Sequence, residues 1–64
     1  MSVENTVITT FNNGMGSAKL SKLANVFVVS FEPRFGEQIV NSFSNRKKAE
    51  VDYSHFVHYL ISGA

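Results

Sequence analysis

Apolar residues recur along the last third of the chain at helical spacing: Tyr53, Phe56, Val57, Leu60 and Ile61 stand at i, i+3, i+4, i+7 and i+8. That spacing lines five large side chains along one stripe of an α-helix, with Asp52, Ser54, His55, His58 and Ser62 on the other face. The stripe therefore predicts a helix that must be buried against another element. Asp52 is placed to cap it, and it frays at Ser62-Gly63-Ala64. Elsewhere the pattern is shorter-ranged. Thr6 to Phe11 is rich in β-branched and aromatic residues and predicts a strand, but Val7, Thr9 and Phe11 alternate with Thr6, Ile8 and Thr10, so its two faces are not cleanly distinguished. Val26 to Phe31 is a continuous β-rich run, which predicts a strand covered on both faces.

Between these elements the signals differ in strength. Asn12-Asn13-Gly14-Met15-Gly16-Ser17 is a strong loop signal, built of residues that tolerate positive φ. Ser17 to Asn25 supports two readings: a short helix carrying Leu20, Leu23, Ala24 and Phe27 and capped by Ser17, or the returning arm of a hairpin. The helical reading is preferred. Pro33 ends the second strand and fits the first turn of a helix over Arg34–Ser44, whose buried face is Phe35, Ile39, Val40 and Phe43. Gly36 inside that segment costs about 1 kcal/mol relative to alanine. Asn45 stops it, and Arg46, Lys47 and Lys48 complement the negative end of its dipole. The expected fold is α+β, a two-stranded sheet (or hairpin) packed against two C-terminal helices in the order β-(α)-β-α-α.

Length and composition narrow this further. The 64 residues make a single small domain, residues 1–64, and a core of that size supplies only about 3–5 kcal/mol. With no cysteine, neither a disulfide nor a thiolate–zinc site can supplement it, so a partner subunit is the expected source of extra stability. Six phenylalanines and two tyrosines exceed what so small an interior hides, and a homodimer is expected to cover the surplus, with Phe27 or Phe31 and Tyr59 as the exposed aromatics. The N-terminus has no basic n-region followed by an apolar stretch, and the longest apolar run, Val26–Val29, is far too short to span a membrane. These features point to a soluble, cytoplasmic protein that does not bind membranes.

A net charge of +1 suits neither a dedicated nucleic-acid binder nor an acidic DNA mimic. Local chemistry is sparse. His55 and His58 with Asp52 have the spacing of metal ligands on a helix, but the three step around its axis and lack a glutamate base, so they read as surface or interface residues. No serine sits in a nucleophile elbow, and no carboxylate pair has an evident pocket, so the chain is not expected to be an enzyme. Gly14 to Ser21 faintly follows a phosphate-cradling loop, yet the P-loop spacing is not met. No cofactor or metal is expected. What remains is contact chemistry: Met15 exposed at a loop tip, Lys19 and Lys22 beside that loop, and the Arg46-Lys47-Lys48 cluster.

The order strand (Val26–Phe31), Pro33, helix (Arg34–Ser44), basic turn (Asn45–Lys48), helix (Asp52–Ile61) resembles the ribbon-helix-helix repressors. That resemblance implies a dimer whose paired strands enter the DNA major groove. The family reads bases with polar residues at alternate strand positions. Here those positions are Val26, Val28 and Ser30, or Phe27, Val29 and Phe31, and neither set offers donors and acceptors for base edges. The preferred expectation is accordingly a non-enzymatic regulatory protein that occupies a macromolecular partner, most often a protein. Inhibitors of host proteins carried by phages or mobile elements have this size and blandness. A ribbon-helix-helix-like DNA-binding regulator is the alternative.

Overall fold

In the computed structural model, which describes residues 5–63, four strands are followed by one helix. They are β1 (Asn5–Asn13), β2 (Gly16–Leu23), β3 (Val26–Pro33), β4 (Ile39–Phe43) and α1 (Arg46–Ser62). The strands pair antiparallel in sequence order, β1-β2-β3-β4, so each is joined to the next by a short connection. The expected two-stranded sheet with two C-terminal helices is therefore incorrect. Two segments account for the difference.

The first is Ser17–Asn25, which forms the returning arm of a hairpin, not a helix. Leu20, Leu23, Ala24 and Phe27 have helical spacing by coincidence, because Ala24 and Asn25 are the two-residue turn between β2 and β3. Ala24 there has φ 55°, the sign required at the first central position of a type II′ hairpin turn. The second is Arg34–Ser44. Gly36 has φ 118°, incompatible with a helix, so residues 34–38 form a loop, and Ile39–Phe43 runs as a strand against β3. The strand–helix–helix order behind the ribbon-helix-helix resemblance is not formed.

Register assigns the faces. Ala18 pairs with Phe31 and Phe31 with Ile39, while Leu20 pairs with Val29 and Val29 with Asn41. Cross-strand partners share a face, and these rows lie under the helix. In β1 the pairing shifts between Val7 and Thr9. A bulge of this kind resets the alternation by one residue, so both Ile8 and Phe11 pack towards the core. This explains why the two faces of Thr6–Phe11 are not separable by a strict period of two.

The core is small. Ala18, Leu20, Val29, Phe31, Ala49 and Leu60 are its buried apolar side chains among the described residues. The Phe31 ring stacks on Phe56 at 4.5 Å and meets Tyr59 edge-on at 5.8 Å. The helix contributes Ala49, Tyr53, Phe56, Val57 and Leu60, which keeps most of the predicted stripe. Ile61 is instead 68% exposed, and Ala49 extends the stripe towards the N-terminus.

That extension follows from an earlier helix start. Asn45, not Asp52, is the N-cap: its side-chain oxygen accepts from the backbone N–H groups of Lys47 (2.8 Å) and Lys48 (3.3 Å). Asp52 lies mid-helix and accepts from Asn41 Nδ2 at 3.0 Å. At the other end Gly63 adopts the left-handed conformation and donates its N–H to the Tyr59 carbonyl at 2.7 Å, an αL cap. The expected fraying at Ser62-Gly63 is thus replaced by a defined cap, and Ala64 lies outside the described residues. So do residues 1–4, on which much of the signal-peptide argument falls. No helix among the described residues is long and apolar enough to cross a membrane.

Candidate functional site

The predicted contact residues do not converge. Met15 sits half-exposed at the tip of the β1–β2 hairpin, where its N–H donates to Asn13 Oδ1 (2.8 Å) and its carbonyl accepts from the Arg34 N–H (2.8 Å). Lys22 lies at the opposite end of the sheet, in the row Lys22–Phe27–Phe43, with its ammonium 5.8 Å from the Phe27 ring centroid. Lys19 faces away from the helix, in the row Thr10–Lys19–Ser30–Val40.

Arg46, Lys47 and Lys48 occupy the first turn of α1 and not the last turn of a preceding helix, so they oppose the positive end of a dipole instead of complementing a negative one. Arg46 pairs with Glu50 at 2.9 Å across one exposed turn. Lys47 and Lys48 join no ion pair among the described residues. Lys22 and this cluster share one end of the molecule, and Met15 stands at the other.

His55 and His58 are separated by the curvature of the helix. His55 flanks the β4 side, lining both hollows described below, whereas His58 is exposed with its carbonyl accepting from Ser62 Oγ at 2.8 Å. Asp52 is engaged by Asn41, and no three metal-ligating side chains converge among the described residues. The sequence predicts Phe27 or Phe31 at the surface, but both face the helix, because the alternation of β3 places 27, 29 and 31 together on that side; Tyr59, the other expected aromatic, is exposed. Phe31 is buried and Phe27 half-buried. The strongly exposed aromatic is Phe35 (83%), beside the Arg34 guanidinium at 5.3 Å from its ring centroid.

Two surfaces emerge that the sequence pattern did not single out. The first is the sheet face opposite α1. It presents Val7, Leu23, Val26 and Val40, all exposed, among serines and threonines. Lys19 and Glu32 are the only charged strand residues on it. A solvent-washed antiparallel face is ordinarily polar, and this one exposes four large apolar side chains instead.

The second is a groove between α1 and β4. The helix packs mainly on β2 and β3, and it leaves β4 partly uncovered. One hollow of about 470 Å³ is bounded by Phe43, Lys48, Val51 and His55, and another of about 440 Å³ by Phe31, Ile39, His55 and Tyr59. Both are open; the second is lined chiefly by apolar side chains, whereas the first sets Asn45, Lys47, Lys48, Asp52 and His55 around Phe43 and Val51. The only sequence signals for the two surfaces are Val26, Val28 and Ser30 at alternate positions of β3 and the β-branched pair Ile39-Val40.

Compared with known proteins, the chain gives no significant match to a family model, to a curated protein or to a solved structure.

Proposed function

We propose that this chain is a non-catalytic binding module that presents the open face of its sheet to a macromolecular partner, most plainly another protein. The observation behind this reading is the face itself: β-branched and small hydroxyl side chains, two charges, and no second layer over it among the described residues. Desolvating such a surface costs little, because few charged groups lose water, while each covered valine contributes through apolar burial. Lys19 and Glu32 then set orientation more than strength. A regulator or inhibitor built this way acts by occupying its partner's surface, with no bond made or broken.

The test compares captured proteins from the source cell on immobilised wild type and on Val7→Glu and Val40→Glu variants. Both positions are more than half exposed, so the fold is expected to survive, which a melt confirms. A protein retained by wild type and lost from both variants supports the reading. Identical capture by all three, or capture of nucleic acid alone, overturns it.

A further inference from the structure

Edge strands invite pairing, and folded proteins usually blunt them with charge, proline or a bulge. β1 has its bulge between Val7 and Thr9. β4, Ile-Val-Asn-Ser-Phe, has none of these devices, and its helix-side residues Ile39 and Phe43 border the groove. Of the eight aromatic side chains in the sequence only Phe31 is buried, so the isolated chain leaves much apolar area uncovered beside an unprotected strand.

We infer that β4 pairs antiparallel with β4 of a second copy about a two-fold axis at Asn41, joining the two sheets into one of eight strands. The residue pattern selects this register. It sets Ile39 opposite Phe43 of the second copy on the helix side, twice by symmetry, and Val40 opposite Ser42 on the open face. Any shift by one residue would set Ile39 and Phe43 against side chains of the other face. The same register brings Glu37, two residues ahead of β4, level with Asn45 of the second copy and hence beside its Lys47 and Lys48. Glu37, Lys47 and Lys48 have no ionic partner within their own chain among the described residues. Charges that are unmatched in the monomer are thus matched across the axis.

The geometry also limits the contact. With strands about 4.8 Å apart, two helices each centred on β2 and β3 stand too far apart to pack directly. The two grooves instead merge into one trench floored by both copies of Ile39 and Phe43 and walled by Val51, His55 and Tyr59. The open faces become continuous through Val40. Val40 belongs to both the open face and this pairing, whereas Val7, at the opposite edge, belongs to the open face alone, so loss of capture by Val7→Glu with an unchanged dimer separates the two proposals.

Sedimentation equilibrium on the intact chain tests it. The expected result is a dimer that dissociates on dilution, with Ile39→Lys weakening it at least about tenfold, and Val7→Lys, at the opposite edge, leaving it unchanged. Glu37→Lys should weaken the dimer, and adding Lys48→Glu to it should restore association. Because Glu37 is exposed in a loop, that charge-swap pair stays informative if Ile39→Lys fails to fold. A monomer at high micromolar concentration, a dimer indifferent to Ile39→Lys, or a charge swap without rescue overturns the pairing.

Discussion

At Gly16 the backbone leaves no room for a side chain. A Cβ built there would lie 2.5 Å from the Glu32 carbonyl oxygen and 2.8 Å from Pro33 Cα, and φ is 145°. Both obstacles are backbone, which cannot rotate aside, so Gly16→Ala should cost about 1–3 kcal/mol and visibly lower the melting temperature. Ala24 is the opposite case. Its Cβ is held at φ 55°, a conformation that costs an L-residue about 1–2 kcal/mol, whereas glycine adopts it freely. Glycine loses more entropy on folding, so Ala24→Gly should stabilise by a net of about 0.5–1 kcal/mol. Equilibrium urea unfolding of the two variants should give shifts of opposite sign; a destabilised Ala24→Gly would mean that the turn is not strained. These two residues also show why the second hairpin was hard to read. Gly14-Met15-Gly16 announces a turn by composition, whereas Ala24-Asn25 hides one behind an alanine that ordinarily favours helix.

At the scale of elements, α1 has poor local electrostatics. Its first turn carries three cations and no acid, and its last turn no base. Each like-signed charge near a helix pole costs about 0.3–1 kcal/mol at low salt. Lys47→Glu should therefore raise stability by about that amount, an effect that shrinks as salt is added, since these side chains are exposed. Asn45→Ala, which strips the acceptor from two backbone N–H groups, should cost about 1 kcal/mol regardless of salt. Thermal melts at two ionic strengths separate the two effects.

The elements were unequally legible for related reasons. The C-terminal stripe is long enough to average out exceptions such as Ile61, and Val26–Phe31 has no helical alternative of comparable strength. Ile39–Phe43 is only five residues long. Over so short a window Phe35, Ile39, Val40 and Phe43 fit a helical face as well as alternation fits a strand. Gly36 and the β-branched Ile39-Val40 pair were the residues that favoured the strand. The groove along β4 was invisible for the same reason, since it exists only once that segment is an edge.

On the scale of the whole molecule, stability is concentrated in the middle of the sheet. β2 and β3 are each paired on both sides and carry the helix, while β1 and β4 are paired on one side only. Local opening follows burial and hydrogen-bonding density, so backbone amides of β2, β3 and the segment of α1 around Phe56 should exchange with deuterium slowest. Leu60, 1% exposed, locks the far end of the helix, with its carbonyl accepting from Asn13 Nδ2 at 3.0 Å. Leu60→Ala should cost about 2–5 kcal/mol, comparable to the entire stability of a domain this small, and abolish slow exchange everywhere at once. The two edges should differ from each other in a way that a lone chain does not produce. Amides of β1 should exchange at a rate independent of protein concentration. Those of β4 should become protected as concentration rises, because a second copy supplies their missing partners only by mass action. Equal, concentration-independent exchange at both edges would place β4 in water and leave Ile39, Phe43 and Tyr59 for a different molecule to cover.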